Sequence, residues 1–116
     1  MTEEVKLQEK KCIPCTGGVP PLSLSAKMAL KKQINQQWVF TLDFTRLELH
    51  LKYSNFVLPL AIFNKIANIA ELNGHHPDFK LGFGYLHIEM YTHKINDLVE
   101  SDFIMAAKID EIIKES

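Results

Sequence analysis

The sequence predicts an α+β domain: a four-stranded antiparallel sheet with helices packed on one face, in the order α-β-β-α-β-β-α. Three observations lead there. Apolar residues recur at helical spacing in three separate stretches. Between those stretches lie two pairs of runs with a period of two, each pair joined by a link short enough for a hairpin. At 116 residues and 47% hydrophobic content, one domain with one core accounts for the chain.

Residues 1–21 read as an N-terminal arm and residues 22–116 as the single domain. Gly17, Gly18, Pro20 and Pro21 raise the ordering cost and remove amide donors, so neither a helix nor a central strand is expected in the arm. Its Cys12-Ile13-Pro14-Cys15 stretch admits a redox pair, half of a zinc site, or two reduced thiols in a partly mobile segment. The last is favoured. A structural zinc site needs four ligands and no second Cys pair exists. A redox pair normally opens a helix, whereas Gly17-Gly18-Val19-Pro20-Pro21 follows here.

The first helix begins after Leu22, with Ser23 or Ser25 as its cap and Leu22, Ala26, Ala29, Leu30 and Ile34 as its buried stripe. It ends near Asn35. Trp38, Phe40, Leu42 and Phe44 then alternate with Val39, Thr41 and Asp43 as a first strand. Leu47, Leu49 and Leu51 alternate with Glu48, His50 and Lys52 as a second, with His50 on its polar, exposed side. The turn falls within Asp43–Arg46, where no Asn-Gly or Asp-Gly marks it.

Ser54 or Asn55 can cap the central helix, whose stripe is Leu58, Ile62, Ile66, Ile69 and Ala70. Pro59 sits in its first turn, where a missing amide costs nothing. Asn73-Gly74 stops it, which leaves His75 and His76 on a turn held by Pro77. Phe79–Phe83 and Tyr85–Tyr91 make the second hairpin. Tyr85, His87, Glu89, Tyr91 and His93 share one side, and Leu86, Ile88, Met90 and Thr92 the other. The last helix runs from Asp102 to Lys114 on a stripe of Phe103, Ala106, Ala107, Ile109, Ile112 and Ile113, with the Asp102 carboxylate at the positive end of its dipole.

Composition excludes several functions. Lys and Arg total 13 against 14 Asp and Glu, a net charge of -1, without the clustered basic face that nucleic acid requires. The longest apolar stretches, such as Phe56–Phe63, are too short to span a bilayer. The charged N-terminus lacks the apolar segment of a secretory signal, so a cytoplasmic location is expected. No Gly-rich phosphate cradle and no Gly-x-Ser-x-Gly elbow occurs.

Four of the five histidines lie between Glu71 and His93. Imidazole is the side chain whose ordinary pKa places proton exchange near neutrality. An adjacent pair such as His75-His76 can be a polar turn, part of a metal site or an acid–base device. Neither His-x-x-x-His on a helix nor His-x-His on a strand is present, which disfavours metal. The remaining chemistry is proton transfer on a small neutral substrate.

Glu71-x-x-x-His75-His76-Pro77, then Tyr85, Thr92-His93, Leu98 and Asp102, resembles the pterin-4a-carbinolamine dehydratase family. The resemblance runs from about Trp38 to Ile112 and takes in Phe40–Phe44, Ala70-Glu71 and Met105–Ile109. The arm segment Lys10-Lys11-Cys12-x-Pro14-Cys15-x-Gly17-Gly18 looks like a bacterial form. It implies dehydration of 4a-hydroxytetrahydropterin to quinonoid dihydropterin, with no cofactor and no metal, in the recycling of tetrahydrobiopterin. By the same resemblance His75, His76 and His93 are the catalytic residues, with Asp102 and Glu71 in support. His76, Pro77, Asp78 and Thr92 would contact the substrate. Implied partners are the pterin itself, further copies of the chain in a dimer or tetramer, and a functional link to an aromatic amino acid hydroxylase. Nucleic acid and membrane are not expected partners. The alternative is a non-catalytic binding or assembly protein, as some relatives are. One departure is Asp97-Leu98-Val99, where the family often has Gly-Leu-Thr or Gly-Leu-Ser, so the hydroxyl cap three residues before Asp102 is lost. His87 shares the parity of His93, but six residues of strand put it roughly 20 Å away, outside one binding site. Tyr85 and Tyr91 read as packing or interface residues.

Overall fold

The structure, a computed structural model, describes residues 6–12 and 19–116. Its sheet is built from two hairpins. Strands β1 (Val39–Thr41) and β2 (Arg46–Lys52) form the first, and β3 (Asp78–Gly82) and β4 (Tyr85–Met90) the second. They join through β2 and β4 in the antiparallel order β1-β2-β4-β3. The register pairs Leu49 with Ile88 and His50 with His87. Because side chains alternate, that register sends Leu47, Leu49, Leu51, Leu86, Ile88 and Met90 to one face, where all are buried. The opposite face carries Glu48, His50, Lys80, His87 and Glu89, none of them buried.

Helices α1 (Leu24–Lys31), α2 (Val57–Asn73) and α3 (Glu100–Lys114) cover the apolar face. Trp38, Ile66, Phe103, Ile104, Met105 and Ile109 fill the space between them and the sheet. Phe103 meets Phe40 with ring centroids 6.3 Å apart, and Phe63 of α2 meets Phe79 of β3 edge-on at 4.9 Å. Among the described residues, no helix is long and apolar enough to cross a membrane.

Helix boundaries follow local chemistry. Ser23 Oγ accepts the Ala26 N–H at 3.1 Å to start α1. At the start of α2 the Leu58 N–H donates to Asn55 Oδ1 at 3.0 Å, so Asn55 takes the capping role. The same helix ends at Gly74, left-handed at φ 62°, with the His75 N–H returning to the Ala70 carbonyl at 3.1 Å. That bond from beyond a left-handed glycine aims the chain out of the helix at the first histidine.

Three expectations need correcting. The first strand stops at Thr41, because Leu42, Asp43 and Phe44 all take positive φ (49°, 57° and 62°) and turn the chain. Leu42 is consequently 67% exposed, although its alternation with Phe40 placed it in the core. On α1 the buried residue is Lys27, while Ala29 is exposed. Lys27 Nζ donates to the Phe44 carbonyl at 2.8 Å and to Asp97 Oδ1 at 2.7 Å, and those two bonds make its burial tolerable. Finally, β4 ends at Met90, so Tyr91 begins a loop.

Part of the expected arm is packed. Leu7, on a short 3-10 turn over Leu7–Glu9, is buried, and Lys108 of α3 donates to the Gln8 carbonyl at 2.8 Å. Cys12 Sγ lies 3.7 Å from the Ser101 carbonyl. Its companion Cys15 lies outside the described residues.

Candidate active site

The C-terminal end of α2, the loop after β4 and the first turn of α3 meet at one carboxylate. Asp102 is fully buried, and it accepts three hydrogen bonds. Its Oδ1 lies 2.7 Å from His75 Nε2, while Oδ2 accepts the Thr92 hydroxyl and the Val99 N–H, each at 2.8 Å. With two donors already on Oδ2, the proton between Asp102 and His75 belongs on Nε2, which leaves Nδ1 as the lone-pair nitrogen of that imidazole. Valine has no side-chain acceptor, so the α3 capping box is reduced to its reciprocal half, the Val99 N–H held by Asp102.

His75, His76 and His93 come together around a cleft of about 280 Å³, lined also by Gly74, Tyr91, Thr92 and Lys94. Each imidazole has a carboxylate. His76 Nε2 lies 3.1 Å from Glu71 Oε2, one turn back on α2, and His93 Nε2 lies 3.2 Å from Asp78 Oδ2 at the start of β3. The His75 pair is buried, whereas the other two pairs stand open to solvent. The cleft therefore offers one imidazole held against a buried carboxylate and two that are open to solvent.

The loop that carries His93 is tight. Thr92 and Asp97 pair across it, with the Thr92 N–H donating to the Asp97 carbonyl at 2.9 Å and the Asn96 N–H to the Thr92 carbonyl at 2.9 Å. Asp97 braces it by accepting from Lys27 and from the Leu98 N–H. Burial alone would push the Asp97 carboxyl up. The hydrogen bonds from Lys27 and Leu98 and the charges of Lys27 and Arg46 together hold it below the usual carboxylate range.

Of the remaining sequence-predicted residues, Thr92 directs its hydroxyl to Asp102, Asp78 pairs with His93, and Pro77 is buried on the turn. His50 and His87 lie elsewhere, stacked with ring centroids 4.2 Å apart on the open sheet face. Tyr91 and Lys94 line the cleft beyond what sequence reasoning assigned. The signal for Tyr91 was its shared parity with His93. Among the described residues, no group of three or more His, Cys, Asp and Glu side chains is arranged to hold a metal ion.

Comparison with known proteins is consistent across nearly the whole chain. The family model described as "Pterin 4 alpha carbinolamine dehydratase" matches residues 22–112. A protein of Rickettsia bellii named "Putative pterin-4-alpha-carbinolamine dehydratase" is 44% identical over 95% of this chain and 96% of its own length. Proteins of the same name from Rickettsia canadensis and Methylococcus capsulatus are 46% and 41% identical, covering 92% and 95% of this chain and 97% and 96% of their own lengths. The crystal structure titled transcriptional coactivator/pterin dehydratase from Brucella melitensis shares the fold, with a TM-score of 0.74 at 22% identity, over 80% of this chain and 98% of that one.

Proposed function

The chain belongs to the pterin 4 alpha carbinolamine dehydratase family, an enzyme of the hydro-lyase class, and from that premise we propose that His75 and His93 act as its acid–base pair on a 4a-hydroxytetrahydropterin. The observation that carries this reading is the gathering of three imidazoles, each with its own carboxylate, around one cleft. One imidazole of the pair delivers a proton to the 4a-hydroxyl, which leaves as water. The other removes the N5 proton, and the electrons of that N–H bond form the double bond to C4a. The product is the quinonoid dihydropterin, and no electron is gained or lost. Each positioned group contributes about 10²–10⁴ in rate.

His76 positions the pterin at the cleft mouth, with Glu71 steadying its ring, while Asp102 holds His75 in one tautomer. Thr92 lines the cleft, while Asp78 backs His93 and Pro77 holds the turn that carries His75 and His76. In the cell such an enzyme recycles tetrahydropterin spent by a hydroxylase. A homo-oligomer is supported by the apolar side chains that α2 leaves uncovered, Val57 at 75% and Leu72 at 85% exposure.

The test follows decay of 4a-hydroxytetrahydropterin in wild type, His75→Ala and His93→Ala, with and without a chelator. The expected result is chelator-insensitive acceleration by wild type and a loss of about 10²-fold or more in each variant. Wild-type rates in both variants would overturn the residue assignment, and no acceleration in either buffer would overturn the dehydratase reading.

A further inference from the structure

We propose that Arg46 is a positioning residue for His93, acting through Tyr91 and Asn96 on the two ends of the loop that presents the imidazole. The inference rests on the reading that His93 moves a proton in the cleft, and it adds a residue that neither the histidine cluster nor the Asp102 network contains.

Arg46 opens β2 and is buried. Its guanidinium carbon lies 3.6 Å from the Tyr91 ring centroid. The Tyr91 ring in turn meets the His93 imidazole with centroids 4.2 Å apart. The same guanidinium donates to the Asn96 carbonyl at 3.2 Å and to the Asn96 side-chain oxygen, as well as to the Thr45 carbonyl at 3.0 Å. Tyr91 precedes His93 by two residues and Asn96 follows it by three, so one side chain grips both arms of the loop. Asn96 sits at φ 56°, a left-handed conformation that the grip on its carbonyl and side chain helps to hold.

Arginine suits this place for two reasons. Its flat face stacks on an aromatic ring, and its fork of N–H donors reaches two acceptors at once; a lysine ammonium can do only part of this. His93 needs such support because its other tether, the 3.2 Å contact with Asp78, joins side chains that are both about half exposed. An exposed pair of that kind fixes little. A misplacement of about 1 Å at a reacting group can cost 10²-fold in rate.

The experiment joins kinetics to imidazole NMR of the free protein. In wild type the Tyr91 ring, 4.2 Å from the imidazole, is expected to displace the His93 ring resonances by its ring current. In Arg46→Met those resonances are expected to move toward random-coil values while the His75 resonances stay. The same variant is expected to lose about 10- to 10²-fold in kcat with KM within about twofold, and Arg46→Lys to fall between. Asn96→Gly, which removes the side-chain acceptor at an exposed position outside the cleft lining and keeps the left-handed backbone, supplies the same kcat-against-KM split should Arg46→Met not fold. A His93 resonance unmoved in Arg46→Met, or a kcat unchanged in the folded variants while His93→Ala loses activity, overturns the proposal. Failure of the parent reading is distinguishable: His93→Ala would keep wild-type kcat, whereas the resonance shift in Arg46→Met would still report the placement of His93.

Discussion

Asp102 Oδ1 and His75 Nε2 lie 2.7 Å apart across 27 positions of sequence, and the carboxylate between them and α3 is closed to solvent. Each side arrives by its own local rule. Gly74 ends α2 with a left-handed residue and delivers His75, while the third residue of α3 is the natural place for a carboxylate that holds the backbone ahead of the helix. Thr92 adds the third strut. Stability and tautomer control thus share a single side chain.

Asp102→Asn keeps the shape and loses the chemistry. An amide offers one acceptor oxygen to three donors, so at least one buried donor is left without a partner, at a cost of about 1–3 kcal/mol. His75 also loses the charge that holds its proton on Nε2. A fall in kcat of about 10²-fold or more is expected, with a lower urea midpoint. Thr92→Val, which removes one donor and leaves the carboxylate, should cost about 1 kcal/mol and little activity. Equal activity losses in the two variants would mean that packing, not the carboxylate, matters.

Val99→Thr should stabilise the fold. The position is N-terminal to α3, with extended backbone (φ -124°, ψ 175°) and no side-chain acceptor of its own. Threonine matches valine in shape and completes the capping box toward the Asp102 N–H. That N–H already reaches the Val99 carbonyl at 3.1 Å, so the gain should sit at the low end of the capping range, about 0.5–1 kcal/mol. Thermal melts would show it as a rise of a few degrees.

The stacked pair His50 and His87 makes the open sheet face sensitive to acid. Burial is the main cause that holds the His87 imidazole below its usual pKa, with the charges of His50, Lys80 and Lys52 adding to it and Glu48 opposing. Glu89 and Tyr85 flank the same ring from β4. With the folded pKa below the unfolded value of about 6.5, the group contributes stability that is present above that pH and is lost as pH falls through the folded value. His50→Gln removes one of the depressing charges. NMR titration should show the His87 pKa rising in that variant, and the difference in urea midpoint between pH 7.5 and pH 5 should shrink.

Cys12 should be a sluggish nucleophile. Burial pushes its thiol up to about 11, a shift that Lys108 reduces and Asp102 adds to. Thiolate is the reactive form. In a Cys15→Ser background, alkylation at pH 7.5 should run roughly tenfold or more slower than for a free thiol, after allowing for the higher nucleophilicity of a more basic sulfur. A rate equal to that of a free thiol would mean that the segment packed on α3 opens readily.

Much of this architecture was legible because it depends on local rules. The alternation in β2 and β4 gave both faces of the sheet, and Gly74 with Pro77 gave the turn that carries the histidines. What escaped was decided by distant partners. Leu42 and Phe44 alternate like strand residues, yet the chain turns there at positive φ, with the Phe44 carbonyl accepting Lys27. Lys27 itself looks like a solvated helix residue until Asp97 is placed beside it, 70 positions on. The partnership of Asp78 with His93 crosses from one strand of the hairpin to the loop beyond the other, which no spacing rule connects. For the same reason Arg46 carried no signal: its role exists only once β2 lies beside Tyr91.

The three histidine–carboxylate pairs have similar lengths, 2.7, 3.1 and 3.2 Å, but differ in burial, and burial should decide their worth. Glu71 and His76 are 82% and 58% exposed. Water competes for both, and salt screens what attraction remains. Glu71→Gln should therefore change stability by no more than about 0.5 kcal/mol and kcat by less than about fivefold, with the residual effect fading in 0.5 M salt. Asp78→Asn should behave alike in stability, and its kinetic effect should be larger only to the extent that Asp78 shares the orientation of His93 with Tyr91. Urea melts and kcat at low and high salt separate these cases from Asp102→Asn. If Glu71→Gln cost as much as Asp102→Asn, distance rather than burial would be setting the strength of these pairs.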